Sequence, residues 1–150
     1  MTSRDAGKAV ADGKPLKLAA QDAADLAVVS SVLQDALVPL SDLVWLPDDG
    51  RFVMAVNRFL WERGGERGER VTAGLSFERV ERVQRRNLDK AQVGGFLNLL
   101  SLTLADGGDG VTVLLTFAGG AAIRLESASL LCHLEDFGEP WPTQWRPDHP

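Results

Sequence analysis

Between Leu43 and Leu134 apolar residues recur at every second position, the period of strands that bury one face. Phe52, Met54 and Val56 alternate with Arg51, Val53, Ala55 and Asn57. Val71, Ala73, Leu75 and Phe77 share one face, and so do Val111, Val113, Leu115 and Phe117. Turn residues punctuate these runs. Pro47-Asp48-Asp49-Gly50 joins a strand over residues 43–46 to one over 51–60, a good hairpin connection. Residues 62–69 read as a polar hairpin loop, and 106–110 and 118–120 as tight turns between strands at 96–105, 111–117 and 121–126. Ahead of Pro39 the period changes. Leu26, Val29, Leu33 and Leu37 fall on one face of a helix predicted over 21–37, with Asp22 as its cap, Asp25 in its first turn and Pro39 as its stop.

Two segments carry competing readings. Residues 78–82 form a kink before an extended stretch at 83–88, or residues 78–86 form a helix, since Glu and Arg favour one. Leu130, Cys132 and Leu134 alternate as a last strand, or residues 128–137 form a closing helix. Residues 1–15 are small, charged and Gly/Pro-containing and read as a mobile tail, leaving one domain over 16–150. The end of the chain, with Trp141, Trp145 and three prolines between residues 138 and 147, is excluded from regular helix and reads as a clamp across the domain. The halves also align: the stretch from Leu75 to Val83 matches that from Ile123 to Leu131, with Met54 and Val56 answering Val113 and Leu115. The expected fold is therefore α+β: a mostly antiparallel, curved sheet with one N-terminal amphipathic helix. The sheet is a sandwich or partly closed barrel, and the alignment suggests two related four-stranded halves.

Composition adds exclusions. A chain of 150 residues with 45% apolar and 25% charged content can bury a core of its own. Its single cysteine, Cys132, rules out an intrachain disulfide, and neither a signal peptide nor a membrane-length apolar run is visible. The expected address is the cytoplasm. A net charge of −5 disfavours general attraction to nucleic acid or anionic lipid. The charge is uneven, however: residues 62–90 hold eight Lys/Arg against six Asp/Glu, and residues 91–150 hold two against seven.

Chemistry-bearing motifs are scarce. There is no nucleophile elbow, phosphate loop or dinucleotide fingerprint, and the glycine clusters sit where turns need them. His133 and His149 are the only histidines and no metal-ligand spacing occurs, so no metal and no cofactor are expected. Cys132 lies in an apolar alternation and reads as a buried thiol. The arginines stand out. Arg79, Arg82, Arg85 and Arg86 are close in sequence, and Arg63, Arg67 and Arg70 lie across the preceding hairpin. Interleaved glutamates favour a solvated, ion-paired face, and the absence of neighbouring exposed aromatics disfavours nucleic acid. The candidate contact residues are Arg58, Trp61 and Glu62, then Arg82, Arg85 and Arg86, then Trp141 and Trp145. These suit a non-enzymatic binding or interaction module, with a second copy or another protein as its partner. The alternatives are a small-ligand or enzyme pocket lined by Arg58, Glu62 and the arginines, and nucleic-acid binding through residues 79–86.

The run Asn57-Arg58-Phe59-Leu60-Trp61-Glu62, and the run from Leu134 through Glu135, Asp136, Phe137, Gly138, Glu139 and Pro140 to Trp141, resemble a family of small alphaproteobacterial proteins catalogued as a domain of unknown function. The likeness covers most of residues 16–147. It implies a bacterial cytoplasmic setting and brings no activity, cofactor or site residue.

Overall fold

The computed structural model describes residues 15–60, 68–88, 95–105 and 109–143. The expected N-terminal tail and the 62–69 loop lie almost wholly outside them. The elements are β1 (Lys17–Ala20), α1 (Ala23–Val32), β2 (Ala36–Pro39), β3 (Leu43–Leu46), β4 (Arg51–Phe59), β5 (Gly68–Phe77), β6 (Val80–Arg86), β7 (Phe96–Ala105), β8 (Val111–Phe117), β9 (Ala122–Ser127) and β10 (Cys132–Thr143). All ten strands join one antiparallel sheet in the order β1-β10-β5-β4-β2-β7-β8-β9-β6, with β3 paired to β4 beside this path. The fold is α+β, with one α-helix among the described residues. Among the described residues the sheet stays open, ending at β1 and β6.

Alternation places the core. Phe52, Met54, Val56, Ala73, Leu75, Phe77, Val113, Leu115, Phe117, Ile123 and Leu125 are all buried on the inner face, in one cluster that also takes in Leu26, Val29 and Leu33 of the helical region. Asp22 caps α1, its Oδ1 accepting from the Asp25 N–H at 2.8 Å, as expected. The helix is shorter than its pattern predicted. It ends at Val32, Asp35 adopts a left-handed φ of 63°, and Ala36–Pro39 becomes a strand. The reason is tertiary: β2 fills the slot between β4 and β7, pairing Ala36 with Leu99, Pro39 with Phe96 and Leu37 with Asn57. Pro39 therefore ends a strand and does not stop the helix.

Both ambiguous segments are strands. Residues 80–86 form β6, so the helical reading of 78–86 is overturned, and the kink shrinks to Glu78 and Arg79, with Arg79 at φ 58°. Residues 132–143 form β10, which overturns a helix over 128–137. The prolines of the C-terminal stretch do not prevent pairing. Beyond an irregularity between Phe137 and Trp141, Trp141 lies opposite Arg70 and Thr143 opposite Gly68.

The two halves resemble each other, though not as closed four-stranded meanders. β3-β4-β5 is a meander, and β6 then leaves it to pair with β9; β7-β8-β9 is a meander, and β10 leaves it to pair with β5. The fourth strands are exchanged. The register also moves the alignment by two residues, since Leu75 faces Met54 while Ile123 faces Leu115. The two crossing segments touch: the Glu78 N–H donates to the Leu131 carbonyl at 2.9 Å, and the Ala128 N–H to the Arg79 carbonyl at 3.1 Å.

Candidate functional site

Folding separates the arginines into groups with different work. Arg58 projects from the inner face of β4 and is 1% exposed. Its Nε and Nη2 donate to Oδ1 and Oδ2 of Asp136 on β10 at 2.8 and 2.7 Å. The same carboxylate accepts the Leu16 N–H at 3.0 Å. A buried, bidentate guanidinium engaged this way ties β4 to β10, and that is where the structure places the Arg58 expected to line a pocket. Trp61, Glu62 and Trp145 lie outside the described residues.

Arg70 does not join the arginines of β6. It is buried on β5, donates from Nη1 to the Asn57 carbonyl at 2.8 Å, and lies 5.8 Å from the centre of the Phe59 ring. Burial lowers its pKa, and the Asp35 charge opposes that shift. Arg79 is held at the crossing, donating to Ser129 Oγ at 2.9 Å. Burial pushes the Cys132 thiol up to about 12, which removes it as a nucleophile.

The remaining arginines form a surface. On the outer face of β8, β9 and β6, register sets Arg82 beside Glu126 and Thr112, Gln84 beside Arg124 and Leu114, and Arg86 beside Ala122 and Thr116. Two shallow depressions lie end to end here and share Arg124. One, of about 450 Å³, is lined by Arg82, Asp109, Thr112, Arg124 and Glu126 among others. The other, of about 360 Å³, is lined by Gln84, Arg85, Arg86, Leu114, Ala122 and Arg124. In the first, Arg82 Nε lies 3.5 Å from Glu126. In the second there is no acid: among the described residues Arg85, Arg86 and Arg124 have no carboxylate within ion-pair distance. Register puts Arg86 and Arg124 on the same face of this depression while Arg85 borders it from the Val83 side, and guanidinium forks so placed suit carboxylate or phosphate groups. That lining offers positive charge and hydrogen-bond donors.

The arginines singled out in the sequence that border these depressions are Arg82, Arg85 and Arg86; Arg124 was not among them. Its signal was present in the alternation of β9, where Arg124 occupies the polar face between Ile123 and Leu125. What the sequence lacked was the strand exchange that sets β6 against β9.

A second surface lies on the outer face of β4, β5 and β10. Val53, Gly74, Ser76, His133, Glu135 and Phe137 border a depression of about 420 Å³. Ser76 faces His133 across the strands, yet no hydrogen bond joins them. Phe137, 52% exposed, covers Gly74, whose added Cβ would lie 3.5 Å from the ring. Trp141 is 36% exposed, so it is only partly packed against the domain.

Among the described residues no helix is long and apolar enough to cross a membrane. Comparison with protein-family models gives a match over residues 16–149. No curated protein and no solved structure matches the chain.

Proposed function

The chain belongs to the family described as "Protein of unknown function (DUF2948)", and from that footing we propose that it is a non-enzymatic binding module whose β6–β9 face receives an anionic partner. One observation carries this reading. Arg85, Arg86 and Arg124 surround a common depression with no carboxylate to neutralise them among the described residues. Unneutralised guanidinium groups on a rigid sheet are organised in advance for an acidic ligand. The outer surface beside them carries threonine, alanine and leucine, without an aromatic platform for stacking bases, which favours a protein or small-molecule anion over single-stranded nucleic acid. A bacterial, cytoplasmic setting belongs to the same proposal. A lone, buried thiol in a chain with no disulfide supports it.

Titration of the full chain with poly-glutamate at low salt tests the reading. Binding is expected, weakening as salt screens the charges. Combined Arg85→Glu, Arg86→Glu and Arg124→Glu substitution should abolish it while leaving the circular dichroism spectrum and thermal midpoint in place. Poly-glutamate that fails to bind at low salt, or binds the reversed variant equally well, defeats the assignment. The exposed Phe137 and Trp141 support a second reading, self-association through the β10 surface, for which light scattering of the native chain and of Trp141→Ala is the measure.

A further inference from the structure

We propose that the partner of this face is an extended polypeptide segment alternating acidic and apolar residues, which adds to the sheet as a strand along the open edge of β6. The proposal rests on the anion-receptive reading above and deepens it. β6 is the last strand of the sheet, and among the described residues it pairs with β9 and with no other strand. The opposite end of the sheet is different, because β1 is four residues long and has α1 packed against it. Apart from the Val80 N–H, which donates to the Gly50 carbonyl at 2.8 Å, β6 therefore presents among the described residues a long edge whose backbone donors and acceptors are open to a new strand.

The side chains state what that strand would carry. Register places Arg82, Gln84 and Arg86 on the outer face, in line with Arg124 of the neighbouring strand. Val83 turns the other way and is partly buried against the core. A strand laid antiparallel or parallel along Arg82–Arg86 would set one row of side chains beside Arg82, Arg86 and Arg124 and the other beside Val83 and Arg85. Acid in the first row and an apolar residue against Val83 satisfy these positions, and Arg85, next along the second row, lines the same depression as Arg86 and Arg124. The irregularity between Val80 and Arg82 limits regular addition to the part of β6 after Glu81.

A second copy of this chain is a poor occupant of the edge. In a two-fold pair of antiparallel strands, facing residues lie on the same face of the sheet, so only registers centred on a residue are allowed. Centring on Gln84 opposes Arg82 and Arg86 twice. Centring on Arg82 or Arg85 places like charges on the axis. Centring on Val83 avoids this but carries the pairing through the irregularity at Glu81. Arginine on an edge also guards against such self-pairing.

The test uses the full chain and a fluorescently labelled peptide of alternating Glu and Val, followed by anisotropy. Its fully N-methylated counterpart keeps every charge and loses every backbone donor. The expected result is binding of the first peptide and a loss of about tenfold or more for the second, the worth of one or two backbone hydrogen bonds. Equal binding of the two peptides overturns strand addition while leaving the anion-receptive reading intact. No binding of either peptide or of poly-glutamate overturns both and leaves the arginines as edge guards. Tighter binding of inorganic pyrophosphate or of single-stranded DNA than of the peptide also overturns the proposal. So does a dimer in light scattering that Arg85→Glu dissolves.

Discussion

The Arg58–Asp136 pair shows how burial changes the meaning of a charge. Both side chains are almost wholly removed from water, at 1% and 5% exposure, and the carboxylate also holds the Leu16 N–H. Contrast Arg82 and Glu126, whose side chains are 65% and 36% exposed and whose separation is 3.5 Å. The exposed pair contributes about 0–1 kcal/mol, because water and salt screen it. Removing one member of the buried pair strands the other without its counter-charge. Asp136→Ala is expected to lower stability by about 3–5 kcal/mol in urea denaturation, and Arg58→Met combined with Asp136→Leu to recover much of that loss. A loss below about 1 kcal/mol would mean that water reaches the guanidinium and that the tie is not buried in solution. The pair was invisible as a pair because Arg58 and Asp136 are 78 residues apart.

Strand geometry imposes its own constraints where the chain turns between elements. Gly110, before β8, has φ +86°, and a Cβ there would lie 2.5 Å from the Ser127 carbonyl oxygen. That oxygen belongs to the backbone of β9 and cannot swing aside as a side-chain tip would. Gly119, in the turn between β8 and β9, has φ +81° and nothing within 4 Å of the added Cβ. Both substitutions to alanine carry the penalty of a left-handed conformation, about 1–2 kcal/mol. Only Gly110→Ala adds the collision, so it should cost at least about 1 kcal/mol more than Gly119→Ala and melt several degrees lower by far-UV circular dichroism. Equal costs would show that β8 and β9 can part locally to admit the methyl group.

The exchange of fourth strands makes the halves interdependent. β10 reaches back to β5, pairing Cys132 with Phe77, and β6 reaches forward to β9, pairing Val83 with Leu125. Neither half keeps its outer strand without the other. Unfolding should therefore be one cooperative transition, with tryptophan fluorescence and far-UV circular dichroism giving coincident curves. A fragment ending at residue 90 should remain unfolded, because it lacks β10 against β5 and β9 against β6. Separate transitions would show that each meander is stable alone. Folding should be slow for the chain length, on the order of milliseconds to seconds, because these pairings close long loops before any contact stabilises them.

Much of this was legible in local order alone. Periodicity identified the strands at 96–105 and 111–117, the hairpin through Gly50 and the buried sets in β4, β5 and β8, because a side chain's face in a strand depends only on its parity. The Asp22 cap was legible for the same reason, its bond to Asp25 spanning three residues. Three things were not. The helix ended early because β2 was drawn into the sheet; the choice between helix and strand over residues 80–86 fell to strand because β9 offered a ladder; and the arginine groove formed because exchange set β6 beside Arg124. Each depends on a partner distant in sequence, and the hydrogen bonds gained there outweigh propensities that differ by less than about 1 kcal/mol per residue. Alternation says which way a strand faces, and only the folded chain says which strand stands next to it.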